Sequence, residues 1–244
     1  MKKTIAFVGA LLAGLSLNAQ DVSVSTTVGW ESEYIFRGEK LGEDIQTAAI
    51  DVSYLGGYVG LWSAFPAKGT SSTKAVGENE IDLYAGYNQG IGEVIKVDVG
   101  LTYYMYPAVA DNFRDAGQNA NTLEFYAGVS ADLLLKPSLY VYLDRFAKDG
   151  TYTIEASVGH TFDITQMMAF DVGAHVGFVQ PNSSAYDKYN YYGVTTDFKV
   201  KINPNTAFSI GARYVGSTEY TLGALGATDK RNEFYMGSSL SIGF

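Results

Sequence analysis

Carboxylates two residues apart are the first chemistry this sequence offers. Glu31 with Glu33, and Glu80 with Asp82, would share one face of an extended strand at a spacing of about 6.6 Å. That separation is compatible with the acid and base of a glycosidase. Acids are numerous along the same faces, so such pairs arise by chance and no catalytic role is expected. The two histidines offer less. His175 lies on the face of Asp171 but roughly 13 Å away along an extended chain, too far for the two to share a metal. His160 has Val158 and Phe162 as same-face neighbours, and neither is a nucleophile. A lipid hydrolase built on His160 would need a serine from an adjacent strand. The stretches Gly86 to Gly92 and Gly223 to Gly226 open no helical pattern, which removes a nucleotide-binding reading. Asp111 to Asp115 lacks the spacing of an EF-hand and reads as loop chemistry. No catalytic, cofactor-binding or metal site is expected, and no cofactor.

The elements that must hold these side chains belong to an exported chain. Lys2 and Lys3 precede an apolar run from Ile5 to Leu17 and the small residue Ala19, the pattern of a secretory signal peptide over residues 1–19. The run is too short to span a bilayer as a helix, and no later stretch offers 18 uninterrupted apolar residues. Residues 20–244 read as one domain, without a Pro/Ser-rich linker or a shift in composition. The chain has no cysteine, so a closed hydrogen-bond network rather than disulfides must hold it together. Its formal charge of −9, or −11 without Lys2 and Lys3, argues against nucleic acid as a partner.

Beyond the leader the period is two, hence strand. Val22, Val24, Val28, Trp30, Tyr34 and Phe36 fall on one face, with Glu31, Glu33 and Arg37 on the other. Ile95, Val97, Val99, Leu101 and Tyr103 oppose Lys96, Asp98, Thr102 and Tyr104 in the same way. Similar segments recur to Phe244, and with weaker ones at Ile45 to Tyr54, Tyr58 to Phe65 and Leu139 to Arg145 they make about twelve strands. The faces of the Tyr58 to Phe65 segment are ambiguous. Short links alternate with long polar ones such as Pro66 to Gly77 and Pro107 to Asn121. Aromatics gather near strand ends, with Tyr54, Phe162, Phe208 and Phe244 below and Tyr34, Phe36, Phe178, Tyr192 and Phe234 above. A β-sandwich would alternate too, but its solvated face would carry more lysine. Here the polar face is rich in Gly, Ser, Thr and Tyr with interspersed acids, which suits a confined wet lumen. The expected fold is all-β: a transmembrane, antiparallel, up-and-down β-barrel.

With the polar face inward, Glu31, Glu33, Asp51, Glu80, Asp82, Asp98, Glu124, Glu155, Asp171, Asp197 and Glu233 line the bore against Arg37, Lys96, Lys199, Lys201 and Arg213. An excess of carboxylates in a narrow pore concentrates cations and repels anions. The same charges could instead neutralise one another across the lumen and plug it, since twelve strands lie between filled and open barrels. Tyr84, Tyr104, Tyr106, Tyr126 and Tyr142 would also point inward and could guide solutes or simply fill volume. The lumen and selectivity candidates are Glu31, Glu33, Arg37, Glu80, Asp82, Tyr84, Lys96, Asp98, Tyr104, Glu124, Tyr126 and Arg213. The expectation is a monomeric channel for passive diffusion of small hydrophilic solutes, mildly favouring cations or neutral molecules. A non-conducting barrel whose loops bind a partner is the first alternative, and a barrel-wall lipid hydrolase the second.

Several segments in order carry a family likeness: Tyr34-Ile35-Phe36-Arg37-Gly38, Gly57 to Trp62, Glu80 to Tyr87, Tyr103 to Pro107 and Glu124 to Ser130. Together they resemble the TorF-type porin family. Glu39-Lys40-Leu41 departs from that family's smaller, less charged residues, so the resemblance assigns this turn no role. It implies a barrel of the bacterial outer membrane with a transport role, in contact with outer-membrane lipid and lipopolysaccharide. The terminal stretch Tyr235 to Phe244 is similar to the signal that the barrel assembly machinery reads at Phe244.

Overall fold

A computed structural model of the chain describes residues 22–68, 79–107, 121–146, 149–182, 187–219, 221–222 and 230–244. The leader and the Asp111 to Asp115 segment lie outside the described residues. Twelve strands follow in order: β1 (Val22–Phe36), β2 (Glu39–Tyr54), β3 (Gly57–Lys68), β4 (Glu80–Ile91), β5 (Ile95–Met105) and β6 (Thr122–Ala131), then β7 (Ser138–Phe146), β8 (Tyr152–Asp163), β9 (Met168–Gln180), β10 (Tyr189–Asn203), β11 (Thr206–Ser217) and β12 (Asn232–Gly243). Each pairs antiparallel with the next, and β12 closes on β1 into one barrel. Closure leaves every strand two partners, which takes the place of a disulfide framework.

The alternation fixes which face is which. Val99, Ile210 and Phe234 are 54%, 52% and 61% exposed on the outside, whereas Glu80 and Glu124 at 3% lie within the bore. Apolar side chains outside and polar ones inside is the arrangement a bilayer selects, because every backbone group is paired and only greasy atoms meet lipid. Among the described residues no second sheet covers the outer row of β5, and the strands close into one barrel rather than a sandwich.

The strands are tilted, and the register shows it. One row of direct partners runs Asp51, Gly60, Tyr84, Thr102, Glu124, Asp144 over β2 to β7. Asp51 is near the end of β2 that holds the chain's first link to β3, and Asp144 is near the opposite rim. A single row therefore climbs the wall, as the stagger of a closed barrel requires.

One element breaks the alternation. β1 pairs with β12 only as far as Glu31 with Gly237, yet its pairing with β2 continues to Phe36 with Glu39. β12 continues along β11 to Asn232 without β1. A register shift falls between Tyr34 and Ile35, and Asp44 opposite the departure point adopts φ 57°. Such bulges bend the strand and re-aim its side chains. The upper part of the β1–β2 hairpin accordingly leaves the wall and enters the bore. Its tip is a two-residue turn, Arg37 (φ 49°) and Gly38 (φ 76°), whose positive dihedrals match the type I′ geometry favoured in tight hairpins.

This corrects the placement of Tyr34 and Phe36, which alternation puts on the outer face in the upper aromatic girdle. The Tyr34 hydroxyl instead donates to Glu80 at 2.8 Å, and Phe36 packs on Tyr104 with ring centroids 6.0 Å apart, both inside. Both faces of the hairpin lie inside once it leaves the wall, since Ile35 packs on Val215, Leu222 and Tyr235, and a strict period of two cannot register such a departure.

Candidate functional site: the lumen

The upper bore is built around the hairpin tip. Arg37 reaches across to β6 and grips Glu124 with two hydrogen bonds, Nη1 to Oε2 at 2.5 Å and Nη2 to Oε1 at 2.9 Å. The planar fork of arginine suits a carboxylate held this way. Tyr104 donates to the same Oε1 at 3.1 Å, and the guanidinium lies 4.1 Å from the Tyr142 ring centroid and 4.6 Å from that of Phe36. Tyr34 and Tyr106 both donate to Glu80, at 2.8 and 3.1 Å. On the other side of the hairpin, Ile35 packs on Val215, Leu222 and Tyr235. The tip itself is held by Thr221, whose Oγ1 donates to the Gly38 carbonyl at 2.5 Å, while Lys40 N donates to the Thr221 carbonyl at 3.0 Å. A Cβ on Gly38 would sit 2.5 Å from the Cβ of Tyr191, so glycine is needed there for space as well as for its dihedral. The hairpin therefore touches walls on both sides of the bore and constricts its upper half.

Below and beside the hairpin a different device repeats. In three rows a carboxylate, a glycine and a tyrosine occupy directly paired positions on three successive strands: Asp51–Gly60–Tyr84, Asp98–Gly128–Tyr140 and Glu155–Gly177–Tyr191. In each, the tyrosine lies over the glycine and donates to the acid beyond it: Tyr84 to Asp51, Tyr140 to Asp98 at 3.1 Å and Tyr191 to Glu155 at 2.6 Å. A Cβ at Gly60, Gly128 or Gly177 would meet ring atoms at 2.3, 2.3 and 2.1 Å. Glycine gives the ring its bed, and the ring screens the bare backbone, as aromatics do over strand glycines. Tyr58 adds a diagonal version, lying over Gly86 and donating to Asp98 at 2.9 Å while its oxygen meets the Tyr126 hydroxyl at 2.5 Å.

The charges divide by this construction. Glu124 is neutralised by Arg37, Asp171 by Lys199, and Asp197 with Glu31 by Arg213, at 2.9 Å and 3.7 Å. Glu33 lies on the bent hairpin and pairs with Lys40 at 2.6 Å, which also meets Glu43 at 2.7 Å. Glu233 is paired with Lys230. Among the described residues, no lysine or arginine pairs with Asp51, Asp98 or Glu155, whose partners are tyrosine hydroxyls. Neutral donors orient a carboxylate without cancelling its charge, so these three leave the bore negative.

Ten of the twelve sequence candidates fall into three groups, while Glu33 pairs with Lys40 on the hairpin and Lys96 stands apart. Arg37, Glu80, Asp82, Tyr104 and Glu124 are brought together around the hairpin; Tyr84, Asp98 and Tyr126 belong to the tyrosine rows; Glu31 and Arg213 form an ion pair on the β1, β11 and β12 side. Lys96 is exposed near the end of β5 that joins β4. Sequence reasoning left Tyr58 unassigned and did not single out Tyr140, Tyr191 or Asp144. Tyr58 could have been found from the Gly57-Tyr58-Val59-Gly60 alternation, but the pairing of each tyrosine with a glycine needs cross-strand register, which a single sequence does not carry. His175 lies over Gly193 near Tyr191, and His160 is half-buried with Nδ1 2.9 Å from the Leu134 carbonyl oxygen and its ring edge-on to Phe162. Among the described residues, no group of three His, Cys, Asp or Glu could hold a metal ion.

With this geometry in view, the likenesses to known proteins are informative. The family model described as a bacterial protein of unknown function (Gcw_chp) matches residues 17–241. No curated protein matches in sequence. The KdgM porin superposes with a TM-score of 0.58 at 11% identity over 91% of this chain and 99% of that one. The NanC porin in a rhombohedral crystal form superposes at 0.55 and 12% identity over 90% and 98%. The KdgM porin in complex with disordered oligogalacturonate gives 0.55 and 11% over 91% and 99%. At these identities the likeness is one of fold, the closed twelve-stranded barrel of outer-membrane porins.

Proposed function

The chain belongs to the Gcw_chp family of bacterial proteins, and we propose that it is a porin-like channel of the bacterial outer membrane, passing small hydrophilic solutes passively with a preference for cations and neutral molecules. The observation that carries this reading is the set of Asp51, Asp98 and Glu155, ionisable groups turned into the bore with tyrosine donors and no basic partner among the described residues. Fixed negative charge in a confined lumen raises the local cation concentration and excludes anions. A polyanion such as the oligogalacturonate of the KdgM complex suits this lumen poorly. The resemblance to TorF-type porins and the porin fold of KdgM and NanC support the same reading. Among the described residues, His160 meets the Leu134 carbonyl and the Phe162 ring, neither of them a nucleophile, so the lipid hydrolase gains no support and we propose no catalytic role. The exposed terminal Phe244, whose N–H donates to the Val24 carbonyl at 2.9 Å, supports recognition by the assembly machinery, and the outer apolar band supports contact with outer-membrane lipid and lipopolysaccharide by a monomer.

A second reading is favoured by the inward hairpin, which fills much of the upper bore: a barrel closed at rest. Planar bilayers with the refolded protein under a potassium chloride gradient separate the two. The expected result is a current whose reversal potential reports cation preference, reduced in the Asp51→Asn, Asp98→Asn double variant. Silence from folded, inserted protein sinks the channel and leaves the closed barrel; anion preference overturns the selectivity.

A further inference from the structure

We propose that the lower bore, read as the channel above, contains a binding site for small organic cations bearing an ammonium group, formed by Tyr58, Tyr84, Tyr126 and Tyr140 around Asp98 and Asp51. A phenol has one proton to donate, and a carboxylate has none. Tyr84 spends its proton on Asp51, and Tyr140 spends its on Asp98. Tyr58 also donates to Asp98, so the hydroxyl contact at 2.5 Å between Tyr58 and Tyr126 requires Tyr126 to be the donor. All four hydroxyl protons are thereby committed to the wall. What the cluster offers a solute is acceptor oxygens, negative charge and aromatic surface.

The glycines set how that surface is presented. A Cβ at Gly60, Gly86, Gly100 or Gly128 would lie 2.3 Å from atoms of Tyr84, Tyr58, Tyr126 or Tyr140 respectively. Each tyrosine lies along the wall against a glycine of a neighbouring strand, Tyr140 stacking beside Tyr142 with centroids 5.9 Å apart, and each keeps partial exposure, as does Asp98. The four belong to β3, β4, β6 and β7, so they curve around one side of the lumen. The faces of tyrosine rings attract cations through their quadrupole, most strongly cations with weak hydration. Methylated ammonium ions are of this kind, while a hydrated potassium ion gains little from the rings. Carboxylates and phosphates would meet only acceptors and are rejected. Lys96 stands on the face of Asp98, about 6.6 Å along β5 toward the nearer mouth, and its exposure lets its ammonium group turn to water.

Equilibrium binding to the full-length mature protein, refolded in detergent and followed by titration calorimetry, tests the site without needing a current. Choline chloride is the probe, with potassium chloride, glucose and sodium glutamate compared at equal concentration. Choline should bind more tightly than glucose, glutamate should not bind, and Asp98→Asn and Tyr140→Leu should each weaken choline by about tenfold, in the range of one desolvated cation–π or charge contact. Tyr140→Phe, which keeps the ring on Gly128, should stay within about threefold of the wild type. Choline heats no larger than those of potassium chloride overturn the proposal, as does equal binding of choline and glucose; both comparisons use wild-type protein, so a variant that fails to refold does not matter. Choline binding in a barrel that passes no current would sink the channel and keep the site, whereas current with no choline binding would do the reverse.

Discussion

Arg37 and Glu124 form the best-defined ion pair in the lumen, with side chains 15% and 3% exposed. Breaking a buried pair by removing one partner strands the other charge, and the loss is on the order of 3 kcal/mol. Arg37→Ala should lower the unfolding free energy of the refolded barrel by that amount in urea titrations. Adding Glu124→Gln should recover part of it, because the stranded carboxylate is then gone; a double variant no more stable than Arg37→Ala would mean that the carboxylate was solvated after all. Lysine is a poor substitute here, since one ammonium cannot make two parallel bonds and stack between Phe36 and Tyr142. Sequence placed Arg37, Glu124 and Tyr104 inside, yet gave no sign that they meet, since 87 residues separate the pair.

In the proposed channel, the β1–β2 hairpin is the element that constricts the bore. Its tip is fixed by the positive φ of Gly38 and by the lack of room beside Tyr191. A valine there would violate both conditions, since a β-branched residue is strongly disfavoured at positive φ. Gly38→Val should push the tip away from β10 and raise single-channel conductance in bilayers. An unchanged conductance in a folded variant would show that the hairpin is not the constriction. Sequence alone suggests a short link around Gly38 to Glu43, whereas the turn is Arg37 and Gly38 and β2 already begins at Glu39; the inward bend left no local sign. It depends on the bulge at Tyr34 and Ile35 and on β12 continuing to Asn232 without β1.

Across the whole molecule, apolar side chains cover the outer wall and polar ones line the bore, apart from the upper β1–β2 hairpin, which lies inside on both faces. The chain's two tryptophans report on it. Trp30 is exposed on the outer wall, and Trp62 lies inside, paired with Asp82 and 5.7 Å from Tyr34. In vesicles containing brominated phospholipid, Trp62→Phe protein should be quenched strongly and Trp30→Phe protein little. Equal quenching would mean that both rings reach lipid, which the barrel forbids.

The sequence by itself determined the class, the strand number and most of the polarity, because side-chain alternation is local and is printed residue by residue along Ile95 to Tyr103 and its counterparts. The candidate charges were legible for the same reason. Tertiary structure alone decided which of them cancel, that Asp51, Asp98 and Glu155 are answered by tyrosines lying over glycines two strands wide, and that Tyr34 and Phe36 turn inward with the hairpin. Those outcomes follow from register, bulges and closure, which join residues distant in the chain and leave no local period to read.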